Sequence, residues 1–138
     1  MTFREELKDG ETVWTFTMVT HDRLKSARAK VVRRGDRYAI FGAAWGGPIA
    51  RVEVQIDDGP WMAARLDRHP SRRRRSREFA WTFWKLRWSK PAAGEHTVRS
   101  RAIDVDGNVQ PAPEDPSIAN KVTFWESNGQ ITRRVRIP

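Results

Sequence analysis

The 138-residue sequence has no cysteine, which excludes disulfides, thiolate ligation of zinc, iron–sulfur clusters or a heavier metal, and a thiol nucleophile. Its histidines, His21, His69 and His96, stand far apart and lack the short-interval pairing of preorganised metal sites. There is no G-x-S-x-G elbow, phosphate loop, dinucleotide fingerprint or H-E-x-x-H helix. Long apolar runs are missing too. The longest, residues 39–45, is interrupted by Gly42, and the first residues turn acidic at Glu5-Glu6, where a secretory signal needs its apolar stretch. No membrane partner is expected, and any export signal would have to lie upstream; the compartment is left unassigned.

What is present is aromatic and basic. Seven Trp, six Phe and one Tyr argue against disorder, and a chain of this length buries roughly two-thirds of its unfolded surface, enough for one domain with a core. Lys and Arg number 26 against 17 Asp and Glu, a formal net charge of +9 that brings nucleic acid or an acidic partner into consideration. Twenty of those cations are Arg, whose planar fork suits carboxylates and oxyanions. A coding sequence rich in G and C produces the same bias, and that plainer cause is preferred.

In the entry segment, residues 13–19 read as one short strand after a turn at Gly10. From residue 29 the pattern becomes regular. Residues 29–32 and 38–45 are strands joined by Arg33-Arg34-Gly35-Asp36, and residues 51–56 alternate strictly, with Val52, Val54 and Ile56 on one face. Asp57-Asp58-Gly59-Pro60 turns the chain into a hairpin partner, residues 61–66, and residues 67–78 form a polar surface loop. In residues 79–88 Trp81, Trp84 and Trp88 stand at helical spacing while Phe79, Trp81 and Phe83 stand at strand spacing; composition favours strand. Residues 95–104 alternate again, with Val98, Ser100 and Ala102 on one side, and Asp106-Gly107-Asn108 closes that strand. Pro111, Pro113 and Pro116 hold residues 109–117 extended. Residues 121–125 and 130–137 are two last strands, with Asn128-Gly129 as their hairpin turn. About seven short strands and no convincing helix describe an all-β antiparallel sandwich.

Groups that could carry chemistry are few. The acidic pairs Asp57 and Asp58, Asp104 and Asp106, and Glu114 and Asp115 sit at turns, where carboxylates hold local amides more often than they do acid–base work or bind calcium. Arg72, Arg73, Arg74, Arg75 and Arg77 read as a solvated loop tip, with contact to a partner or polyanion as the alternative. Trp45, Trp61, Trp81 and Trp84 are assigned to the core; Trp88 and Trp125 are left open, since an exposed Trp on a sandwich face anchors protein interfaces.

Five short motifs occur in order: Gly42-Ala43-Ala44-Trp45-Gly46-Gly47, then Ile49-Ala50-Arg51-Val52-Glu53-Val54 with Asp57-Asp58-Gly59-Pro60-Trp61, then Phe79-Ala80-Trp81-Thr82-Phe83-Trp84, Arg101-Ala102-Ile103-Asp104, and Gly107-Asn108-Val109-Gln110-Pro111. Together they resemble the C-terminal dimerisation domain of sulfite oxidase-type molybdenum enzymes, over residues 23–138. The resemblance implies an immunoglobulin-like sandwich that joins two subunits, with residues 1–22 as the connection from a preceding molybdopterin-binding domain. In that family the metal is held by a cysteine thiolate of the preceding domain, so molybdenum and its pterin are expected there and no cofactor on this chain, which would be inactive alone.

The resemblance also implies a loop after the Gln-Pro pair that reaches the substrate oxyanion pocket through an Asn-x-Arg-Gly segment. Here that segment reads Asn120-Lys121-Val122-Thr123, with Val122 where the arginine would stand, so Lys121 beside Asn120 is the candidate for the positive charge. The expected partners are a second copy of the chain and the molybdopterin domain. The alternatives are a free-standing basic domain that binds nucleic acid or another polyanion, for which no ribonucleoprotein-type aromatic motif is present, and a small enzyme with an unrecognised site.

Overall fold

The computed structural model describes the backbone of residues 2–8 and 11–17, and residues 23–67, 81–119 and 127–138 with their side chains. Two strands, β1 (Thr2–Lys8) and β2 (Glu11–Thr17), pair with each other as an antiparallel hairpin. β2 overlaps the expected strand at 13–19, and β1 was not anticipated. Eight more strands follow: β3 (Lys25–Arg34), β4 (Arg37–Trp45), β5 (Ile49–Ile56), β6 (Met62–Ala63), β7 (Arg65–Leu66), β8 (Thr82–Ser89), β9 (Gly94–Asp104) and β10 (Thr132–Ile137). They form two four-stranded antiparallel sheets, ordered β10-β9-β5-β6 and β3-β4-β8-β7. The expected immunoglobulin-like sandwich is borne out, with eight strands in its two sheets where about seven were expected.

The core is built by alternation. On β8 the even-numbered Trp84, Leu86 and Trp88 point inward while Phe83, Lys85 and Arg87 are exposed. They meet Ile40 and Ala44 of β4 within their own sheet, and Val52, Val54, Val98, Ala102 and Ile137 from the opposite sheet, in one cluster. Each large apolar side chain so buried contributes about 1.5–3 kcal/mol. β4 can cross Trp84 only because position 42 is glycine. A β-carbon there would lie 2.2 Å from the indole and 2.4 Å from the Ala27 carbonyl oxygen.

Three expectations are corrected. Residues 61–66 are not one hairpin strand: β6 pairs with β5, and one residue later β7 pairs with β8 of the other sheet. The chain crosses between layers at Ala64, whose amide still donates to the Val52 carbonyl at 2.9 Å. Trp81 is not core. It is 53% exposed, because the β8 register that turns Trp84 inward turns odd positions outward; Trp45 and Trp61 are half-buried, and the unassigned Trp88 is buried. Asn128-Gly129 is not a hairpin turn of the usual two-residue kind, which needs positive φ at the first residue or at both. Neither has it, and Gly129 is buried against Ile118.

Candidate functional site

A polar network inside the sandwich ties Ser26, Ser100 and Ala102 to Gln110, Gly129 and Gln130. Ser26 of β3, fully buried, shares a hydrogen bond of 2.9 Å with Ser100 of β9 and accepts the Trp84 indole N–H at 3.0 Å, so one hydroxyl ties the two sheets together. Its amide donates to Gln110 Oε1 at 2.9 Å, and the Ala102 amide donates to the same oxygen at 3.2 Å. Gln110 Nε2 donates to the Gly129 carbonyl at 3.1 Å, while Gln130 Nε2 donates to the Gln110 carbonyl at 2.9 Å and the Gln130 amide to the Pro111 carbonyl at 2.9 Å. Buried amides impose this arrangement, since a group left unmatched costs about 1–3 kcal/mol. Both ends of the stretch containing Asn120 and Lys121 are therefore fixed to the core. Asn120 and Lys121 themselves, with Arg72, Arg73, Arg74, Arg75 and Arg77 and Trp125, lie outside the described residues.

The turn carboxylates do local work, as expected. Asp104 Oδ1 accepts the amides of Asp106 at 3.0 Å and Asn108 at 2.8 Å, and Oδ2 accepts the Asn108 side chain at 2.9 Å. Partial desolvation pushes its carboxyl up, and these donors together with the Gly107 amide outweigh it, leaving the pKa below the ordinary value. Asp115 is lowered by the hydroxyl and then the amide of Ser117. Asp57 does more than cap its turn. It accepts the Thr97 amide at 2.8 Å and meets His96 Nδ1 at 2.5 Å, while His96 Nε2 meets the Ala92 carbonyl at 2.6 Å. With an acceptor on each ring nitrogen the imidazolium is favoured, so the His96 pKa is raised, first by Asp57 and then by Ala92. No spacing in the sequence linked residues 57 and 96; only the β5–β9 pairing does.

The surface is divided. Among the described residues, four of the five exposed large apolar side chains, Trp81, Phe83, Val105 and Val109, collect at the end of the sandwich where β4 stops, β5 and β8 begin and β9 stops. Trp81 stacks on Trp45 there with ring centroids 5.0 Å apart, and the Val105 amide donates to the Pro48 carbonyl at 3.1 Å. On the outer face of the β10-β9-β5-β6 sheet, Arg101 pairs with Glu53 at 2.8 Å and lies 4.0 Å from the centre of the half-buried Trp61 ring, covering one side of it.

Residues 11–127 match the family described as the Mo-co oxidoreductase dimerisation domain. The chain belongs to this family. Among curated proteins it is similar to sulfite oxidase of Gallus gallus, 37% identical over 99 residues, which is 67% of this chain. The aligned part is 19% of that protein, so the chain spans about a fifth of its length. Membership in the Mo-co dimerisation family gives the described residues their test as a metal centre. No group of three or more His, Cys, Asp or Glu that could hold a metal occurs among them, and the sequence supplies no thiolate. The donor set of the described residues does not fit a molybdenum ligand sphere.

Proposed function

We propose that this Mo-co dimerisation domain joins two subunits of a sulfite oxidase-like oxidoreductase and performs no turnover itself. The observation that carries this reading is the family match over residues 11–127. The molybdenum and its pterin then belong to a separate domain, with residues 1–22 as the connection to it. The geometry supplies a contact surface: the apolar end bearing Trp81, Phe83, Val105 and Val109, where two-fold repetition would bury exposed aromatics against their own copies. Asn120 and Lys121 are proposed to reach the substrate pocket of the full enzyme. The anchoring of the flanking residues by Gln110 and Gln130 supports this role, because a loop fixed at both ends can hold a charge in place.

Sedimentation of the chain tests the proposal. A dimer with a dissociation constant of about 1 μM or tighter, unaffected by deleting residues 71–77 and without sulfite oxidation by the chain, supports it. A monomer at all concentrations, or sulfite turnover by the chain alone, overturns it.

A further inference from the structure

The outer face of the β3-β4-β8-β7 sheet is apolar at one end and cationic at the other. Around the β3–β4 turn and the end of β8 it forms a groove of about 730 Å³ lined by Lys30, Arg34, Arg37, Lys85, Arg87 and Lys90, with Phe41 among them and Asp36 as the one carboxylate of its described lining. All six cations are exposed, and none forms an ion pair among the described residues. The ladder explains the clustering. Phe41 stands opposite Lys30 on β3 and Lys85 on β8, Ala39 stands opposite Arg87, and Arg34 stands opposite Arg37, so the ladder brings cations from three neighbouring strands onto one face around Phe41 and Ala39.

We propose that this groove docks an extended acidic segment of a partner protein. Charge decides the sign of the partner, since six unpaired cations repel one another until carboxylates are placed among them. A second copy of the chain through this same face is disfavoured, because an isologous contact would set these cations against their own copies. Phe83, one outward position before Lys85, marks where the apolar end meets the groove, and the contact proposed above for dimerisation lies on the apolar side of that boundary. The aromatic rings argue against nucleic acid. Single-strand binders need open rings for base stacking. Phe41 already has the Lys30 and Lys85 ammonium groups 5.6 and 5.4 Å from its centre. Tyr38 has Arg33 at 5.8 Å and the edge of Trp88 at 6.4 Å. The groove's outward positions repeat every second residue, about 6.7 Å, which is the repeat of carboxylates at alternate positions of an extended peptide. The guanidinium groups among them suit carboxylates held bidentately.

The test uses the 138-residue chain and a fluorescent octapeptide of alternating Glu and Val, with an oligothymidylate of similar length for comparison. Saturable binding of the peptide is expected, weakened about tenfold or more by Lys85→Glu with Arg87→Glu, and less than about threefold by Arg51→Glu with Arg136→Glu on the other sheet, which change net charge equally. If the reversed-charge pair disturbs folding, Lys85→Gln with Arg87→Gln is expected to lose about fivefold at unchanged circular dichroism. Equal losses from the two pairs of sites, absence of saturable peptide binding, or tighter oligothymidylate binding that depends on Lys85 and Arg87 each overturns the proposal. Self-association is measured separately, and a monomeric chain would not by itself bear on the groove.

Discussion

The indole of Trp84 occupies the space that a β-carbon on Gly42 would need, 2.2 Å from the ring, with the Ala27 carbonyl oxygen at 2.4 Å on the neighbouring strand. One glycine in the central strand β4 thus lets the largest fully buried side chain cross the layer and deliver its N–H to Ser26. Gly42→Ala forces either the ring or the β3 backbone to move, and is expected to destabilise by about 3 kcal/mol, the upper range of overpacking. Because part of the clash is with the indole, Trp84→Phe combined with Gly42→Ala should cost less than the sum of the two single changes in urea unfolding. Strict additivity would locate the conflict in the backbone alone.

Gln110 offers a second prediction. Its side chain satisfies two buried amides, of Ser26 and Ala102, and one carbonyl, of Gly129. Gln110→Ala leaves all three without that partner and is expected to cost about 3–5 kcal/mol, more than Gln130→Ala, whose side chain donates to the Gln110 carbonyl. Amide exchange at Ser26 and Ala102 should accelerate in the first variant and change little in the second.

The network also shows where sequence reading succeeds and where it stops. Alternation alone placed Val52, Val54, Val98, Ser100 and Ala102 on inward faces, because period two is a local property and each of these strands has one wet side. Trp81, Trp84 and Trp88 could not be sorted this way. They keep helical spacing while Phe79, Trp81 and Phe83 keep strand spacing, and the deciding fact, pairing of Gly42 with Trp84 in the β4–β8 ladder, is non-local. Gln110 was legible as part of a motif but not as a buried clamp, since its partners come from residues 26, 102 and 129. The switch of sheets at Ala64 left no mark because two-residue strands carry no periodicity.

Asp57 and His96 predict a pH dependence. The His96 pKa is raised by its hydrogen bonds, so the stability it contributes is complete below the ordinary imidazole value of 6.5 and is lost as pH rises through the higher folded value. The Asp57 pKa is lowered, so its contribution is complete above 3.8 and is lost as pH falls through the lower folded value. The pair therefore stabilises most between those two ordinary values. The carboxylate is substantially exposed, which keeps the gain within about 1 kcal/mol. Asp57→Asn tolerates the positive φ of 49° at this turn while removing the charge. It should return the His96 titration, followed by NMR, toward its ordinary value and flatten the decline of Tm above neutral pH.

The apolar end makes the last prediction. Trp81 and Phe83 are 53% and 50% exposed, so replacing Phe83 by Glu removes little from the core and should leave Tm within a few degrees. At a two-fold contact the same change acts twice, placing a carboxylate and its copy in an apolar environment, and is expected to weaken self-association at least about tenfold. Lys85, two residues further along the same outward row, lies in the basic groove, and Lys85→Glu should leave the dimer unchanged. Sedimentation of the two variants side by side separates a contact made by the apolar end from one that covers the whole sheet face. Equal weakening would move the subunit interface onto the groove and remove it as a site for any other partner.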